Sequence, residues 1–498
     1  MNVNPITRLD YPDPDVIRVE DTYYMVSTTM HFMPGCEILQ SFDLVHWEHV
    51  TYVYETLDHT DAQQLKSGQN IYGQGMWAAS LRYHEGRFYI CFVANDTRKT
   101  YLYTSEKIDG PWKKQLIEGF YHDASLLFDE DGRNYIVYGN DEIWITELNE
   151  DLTAPKKDGL HRLLVSDHKN PELGYEGSHI QKINGYYYIF LVHSLRDRWM
   201  RTEACFYSDS LEGEFTGGDV LCDDRGYCGQ GVAQGGIVDT PDGKWYAMLF
   251  QDSGAVGRIP ILLPVTWKDH FPFFGQNGHV PEEIEVHSTR PGYIYQPLVG
   301  SDDFCNGLLP RWQFNHDPDP RYYHLDALQG TYTITTREVC TELTQAVNTL
   351  TQRMSYPSCA AEVTVDASAL KEGDVAGLCA LQSCYAAVGI TKHHGKYDVL
   401  MLDKKEDGIL DMTEGTVVES HQMDFRLEAD FCNMKDEARC YYRVNKGDWL
   451  PIGTVHKLYF KLDHFTGCRF GLFCYAAEEK GGSACFRDFK YYDVDEIS

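Results

Sequence analysis

Apolar residues in this chain come in short bursts in which Val, Ile, Tyr and Phe alternate with polar positions, each burst closed by Gly, Asp or Asn. Alternation with period two marks half-buried strands, and no segment carries the period of a long amphipathic helix. An all-β chain is expected. The bursts repeat. Glu20-Asp21-Thr22-Tyr23-Tyr24, Glu85-Gly86-Arg87-Phe88-Tyr89, Asp131-Gly132-Arg133-Asn134-Tyr135, Asn184-Gly185-Tyr186-Tyr187-Tyr188 and Asp242-Gly243-Lys244-Trp245-Tyr246 share one grammar, a two-residue turn followed by a Tyr that opens an apolar strand.

The five Tyr lie 65, 46, 53 and 58 residues apart, the length of a four-stranded propeller blade with its loops. Five blades are therefore expected over residues 1–295. In a propeller the strand before each such hairpin lines the central channel. Eleven residues before Tyr24 stands Asp13, and twelve before the other four Tyr stand Trp77, Asp123, Glu176 and Gln234. Equivalent blades would bring all five to one mouth of the channel, with three carboxylic acids among them. A fold that needed only packing would not gather like charges there, because they repel and are costly to desolvate. Asp15, beside Asp13, is expected in a blade interior or a turn.

Beyond residue 302 the blade grammar stops. Tyr332 and Ile334, Val363 and Val365, Leu458, Phe460 and Leu462, then Phe470, Leu472 and Cys474 keep the alternation, and a β-sandwich over 302–498 is the natural packing.

Composition narrows the function. At 498 residues and 43% hydrophobic the chain is long enough for more than one core, and its apolar runs are too short for a membrane-spanning helix. A formal charge of -31 repels phosphate backbones and anionic surfaces, so neither nucleic acid nor membrane is expected as a partner, while a homo-oligomer is compatible with the sequence. The first ten residues lack the basic and apolar regions of a signal peptide, and a cytoplasmic location is expected. Fifteen scattered Cys without a CxxC pair read as free thiols.

Three converging acids suit glycoside hydrolysis. One protonates the departing oxygen, one activates water, and a third can orient the first and keep it protonated by like-charge repulsion. Trp77 would offer an apolar wall to a sugar face and Arg258 a forked donor to sugar hydroxyls. A noncatalytic sugar-binding propeller would use the same aromatic and polar surface but gains nothing from three adjacent acids.

Asn4-Pro5 with Tyr11-Pro12-Asp13-Pro14, then Gly75-Met76-Trp77-Ala78-Ala79, His122-Asp123-Ala124-Ser125, Glu176-Gly177-Ser178-His179 and Gly257-Arg258 leading to Leu263-Pro264-Val265-Thr266-Trp267 resemble, in order, the motifs of glycoside hydrolase family 43. The resemblance implies a five-bladed propeller, Asp13 as general base, Glu176 as general acid and Asp123 as the tuning third acid of an inverting mechanism. It implies a lectin-like sandwich after the propeller. The activity expected from it is release of terminal xylose from xylo-oligosaccharides, with α-L-arabinofuranosidase, alone or combined, as the alternative. The retaining fructan-cleaving propellers differ by an Asn-Asp-Pro-Asn-Gly motif that this sequence lacks. No cofactor is expected to be required. A structural calcium in the channel is the one metal the resemblance raises, and it is in doubt because Gln234 stands where many relatives have a His. In the loop Met30-His31-Phe32-Met33-Pro34-Gly35, Phe32 is a candidate sugar contact, with packing of the blade top by both His31 and Phe32 as the alternative.

Overall fold

The computed structural model describes residues 3–493, so the outermost ends of the two expected domain spans, residues 1–2 and 494–498, lie outside the described residues. Among these residues there are strands and short 3-10 turns and no α-helix. Five antiparallel four-stranded sheets follow one another along the chain. Their first strands are Asp15–Val19, Met76–His84, Ser125–Phe128, Glu176–Ile183 and Ala233–Asp239, and each of these touches the next, the last returning to the first. That closed ring is a five-bladed propeller.

The hairpin grammar has its physical basis in the turns. At Glu85-Gly86 and Asn184-Gly185 both turn residues have positive φ (47° and 79°, 50° and 85°), the geometry whose twist matches that of the flanking strands. The ring is closed without a shared sheet. The Asn4 side chain donates to Leu262 O (2.7 Å) and accepts from Leu262 N (2.9 Å), and Tyr11 N donates to Arg258 O (3.0 Å), stapling the N-terminal segment to the last blade.

The second unit is a sandwich of an eight-stranded and a seven-stranded sheet. Its eight-stranded sheet begins with a propeller segment, Phe32–Met33, paired to Gln313–Asn315. The two units share further contacts. Arg353 of the sandwich and Glu37 of the first blade form a buried ion pair (2.8 Å), and although burial opposes ionisation, Arg353 and His49 hold the Glu37 carboxyl down at about 2. Deleting one member would strand a buried charge, at a cost of about 3–5 kcal/mol. Ala255, Val256 and Ile259 of the propeller belong to the sandwich's own apolar core. The roof of the site described next is therefore fixed to its floor.

One expectation needs correction. The alternation Leu458, Phe460, Leu462 is not a strand, because the preceding strand ends at Lys457 and the chain then leaves the sheet to cross the propeller mouth. Asp15 does lie in the blade interior: it opens the first inner strand, fully buried against Arg82 and His179. All fifteen cysteines are free thiols, ten of them buried.

Candidate active site

A cavity of about 590 Å³ opens at one end of the channel. Asp13, Trp77, Asp123, Glu176, Gln234 and Arg258 all line it. They reach the mouth for a common reason. Asp13 and Asp123 sit two residues before their inner strands in left-handed backbone (φ 51° and 47°), while Trp77, Glu176 and Gln234 sit at the start of theirs, each beside a register shift. Bulges of this kind re-aim a side chain at the rim of a closed sheet. Gly177 has φ 67°, and a Cβ there would lie 2.8 Å from Gln234 Cγ, so no larger residue fits beside Glu176 without displacing Gln234.

The three acids have different surroundings. Asp13 accepts from Arg258 Nη1 (3.0 Å) on Oδ1 and from Thr28 Oγ1 (2.6 Å) on Oδ2. Glu176 Oε2 accepts from Asn140 Nδ2 (2.7 Å). Asp123 is 6% exposed, and burial, with the nearby charges of Glu176 and Asp13, pushes its carboxyl up to about 6 even though His122 pulls the other way. His122 Nε2 lies 3.6 Å from Asp123 Oδ2 and 3.5 Å from Glu176 Oε2. Burial resists protonation of that imidazole, but Asp123, then Glu176 and Asp13, raise it to about 9, making it a cation at neutral pH.

Two arginines complete the wall. Arg258 is 3% exposed and lies 5.1 Å over the Phe250 ring and 4.3 Å over Phe465. Arg201 is paired with Asp252, and burial together with Arg258 lowers it to about 10 against the pull of Glu176 and Asp13, which still leaves it charged. Arg258 Nε and Nη2, Arg201 Nε and Trp77 Nε1 are buried without hydrogen-bond partners beside the cavity. Phe465, 5.4 Å from Trp77 ring to ring, and Phe460 come from the sandwich and cover the cavity.

Phe32 is not among the lining residues. It is 2% exposed, with the Arg469 guanidinium 3.4 Å from its ring, because its backbone is recruited as an edge strand of the sandwich. His31 is fully buried in a ring cluster, edge-on to Tyr72 and His464 and tilted against His316. Both residues of that loop pack; neither reaches the cavity. Sequence reasoning missed His122, Asn140, Arg201 and Asp252, and although the resemblance implied that sandwich loops can cover the propeller mouth, it did not single out Phe460 and Phe465. His122 and Asn140 flank recognised elements and could have been read from them, whereas nothing in the sequence around Phe460 and Phe465 links them to a channel formed some 200 residues earlier.

The donor set bears on metals. Among the described residues the one group able to hold an ion is His122, Asp123 and Glu176, whose ligand atoms lie within 4.8 Å of one another; Asp13 is not part of it. Its imidazole, raised to about 9, carries a proton where a metal would need a lone pair. Deeper in the channel the residues do not fit calcium, which needs six to eight oxygen ligands. Both Asp15 oxygens already accept hydrogen bonds or face an imidazole, and a guanidinium fills the space beside them. Gln234 is held at the mouth by its backbone N–H on Glu203 (2.7 Å) and by packing against Gly177.

Known proteins share this architecture. The family model "Glycosyl hydrolases family 43" matches residues 3–272 and "Beta xylosidase C-terminal Concanavalin A-like domain" matches residues 301–492. A beta-xylosidase of Formosa agariphila is 26% identical over 99% of this chain and 89% of its own length, and a xylosidase/arabinosidase of Butyrivibrio fibrisolvens is 23% identical over 99% of both. A solved structure described as bifunctional GH43-CE from Bacteroides eggerthii superposes with a TM-score of 0.92 at 42% identity over 99% of this chain, which spans 64% of that longer protein. With the propeller, the three acids and these matches together, the chain belongs to glycosyl hydrolases family 43 and is a glycoside hydrolase rather than a noncatalytic sugar binder.

Proposed function

We propose that this glycosidase is exo-acting and inverting and that it removes terminal xylose from short xylo-oligosaccharides, with Asp13 as general base and Glu176 as general acid. The observation that carries the reading is the shape of the site: the acids stand in a cavity with the buried Arg82–Asp15–Ser125 contacts below and Phe465 above, which favours a chain end over a chain interior. Cleavage of α-L-arabinofuranosides is the second reading, supported by the name of the Butyrivibrio fibrisolvens relative, which carries both activities.

Each proton has an assigned place. Oε2 of Glu176 is occupied as an acceptor from Asn140, so Oε1 carries the acidic proton and delivers it to the glycosidic oxygen as that bond breaks. Asp13, held by Arg258 and Thr28, keeps a lone pair on each oxygen for water; it takes the water proton as the oxygen attacks the anomeric carbon from the opposite face. Asp123, beside Glu176, contributes negative charge near the positive charge that develops on the sugar ring. The cycle closes when Asp13 loses its proton to solvent and Glu176 regains one.

The test is turnover of nitrophenyl β-xyloside and nitrophenyl α-L-arabinofuranoside side by side, with proton NMR of the first-formed sugar. Faster xyloside cleavage with α-xylose appearing first is expected. A retained β-anomer would remove Asp13 from the role of base.

A further inference from the structure

Below the acids, the propeller axis holds a single side chain that binds to four blades. Arg82, from the second inner strand, spends all five guanidinium and Nε hydrogens. Nε donates to Leu126 O (2.9 Å), Nη1 to Asp15 Oδ2 (2.8 Å) and Leu81 O (2.6 Å), and Nη2 to Ser125 Oγ (2.5 Å) and Ile180 O (3.2 Å). The cluster is completed by Asp15 Oδ1 against His179 Nδ1 (3.1 Å) and by Ser125 Oγ accepting from Ile180 N (3.1 Å). Asp15 and Ser125 are fully buried and the Arg82 side chain is only 13% exposed, at the far end of the channel.

The partners are not a random set. Asp15 lies two residues beyond Asp13, Ser125 two beyond Asp123, and His179 and Ile180 three and four beyond Glu176. One planar cation thus ties together the three strands that carry the three acids. Calcium is the cation the family resemblance raises for the channel, but here the chemistry is inverted: the axis supplies N–H donors, and the oxygens that a metal ion would take are already paired.

We propose that Arg82 is the resident cation of the propeller axis, a positioning residue that sets the spacing of Asp13, Asp123 and Glu176 and makes the enzyme independent of divalent metal. Its effect on catalysis rests on the assignment of those acids as the catalytic groups; its effect on metal dependence does not. A misplacement of catalytic groups by about 1 Å costs on the order of 100-fold in rate, so loss of the tie should appear in kcat more than in KM.

The experiment has two arms. In the first, the full-length enzyme is dialysed against EDTA and titrated with CaCl2, with calorimetric heat, thermal midpoint and nitrophenyl glycoside turnover read together. No binding heat, an unchanged midpoint and turnover within twofold of the untreated enzyme are expected; activity lost to EDTA and restored by calcium overturns the proposal. In the second, Arg82→Gln and Arg82→Lys are compared with the parent. A kcat drop of about 100-fold for Arg82→Gln with KM changed less than threefold, and partial recovery in Arg82→Lys, are expected. A folded Arg82→Gln with unchanged kcat overturns the positioning role. Ser125→Ala, which removes one acceptor and leaves the charge pair, serves if Arg82→Gln does not fold: a kcat drop of severalfold at constant KM supports the proposal and parental kcat overturns it. If neither nitrophenyl glycoside is turned over by the parent, the activity assignment has failed, and the metal arm still decides whether the axis takes calcium.

Discussion

Asp123→Asn should make the protein more stable at neutral pH and much less active. In the folded chain the Asp123 carboxyl is raised from 3.8 to about 6, with burial the largest cause. A folded pKa above the unfolded one means that the folded state holds the proton more firmly, so stability from this group is full below pH 3.8 and lost as pH rises through about 6. At 1.36 kcal/mol for each pH unit, ionised Asp123 costs the fold on the order of 3 kcal/mol at pH 7.5. Asn cannot ionise and avoids that cost. Part returns through His122, whose own stabilisation is full below 6.5 and lost as pH rises through about 9; without Asp123, its largest support, that contribution shrinks. The net expected gain is about 1–3 kcal/mol at pH 7.5, smaller at pH 4.5, where unfolded Asp is less ionised. Urea denaturation of parent and variant at both pH values, followed by Trp fluorescence, measures it, alongside turnover, which should fall at least 100-fold. A variant no more stable than the parent at pH 7.5, or a difference that does not change with pH, would refute the view that Asp123 is held at an energetic cost for catalysis.

Three further outcomes are expected. Glu176→Ala should reduce cleavage of xylobiose by about 10²–10⁴-fold but spare aryl glycosides with acidic phenols, whereas Asp13→Ala should cripple both alike, as steady-state kinetics on the two substrates will show. Phe465→Ala removes the roof and the ring facing Arg258 at 4.3 Å, so kcat/KM for the nitrophenyl glycoside should fall about 10-fold with little change in thermal midpoint. Gly177→Ala places a Cβ 2.8 Å from Gln234 Cγ in left-handed backbone, and should cost about 1–2 kcal/mol in urea denaturation and lower kcat by shifting Glu176.

What was legible in the sequence was whatever repeats locally. Turn residues with positive φ, such as Glu85-Gly86 and Asn184-Gly185, and the Tyr that follows each turn specify a hairpin by short-range chemistry, and counting back twelve residues from Tyr135 and Tyr188 leads to Asp123 and Glu176 because blade geometry is periodic. What only the tertiary structure decided were contacts between segments with no shared period. Phe32 looked available to a sugar, yet two of its loop's residues pair as an edge strand with Gln313–Asn315; Leu458 to Leu462 alternated like a strand, yet left the sheet and became the roof with Phe465. Asp15 was legible only as a blade-interior or turn residue until ring closure set Arg82, Ser125 and His179 around it. Local pattern determines where strands begin and which residue each presents; long-range pairing of backbone and buried charge determines which of those residues meet.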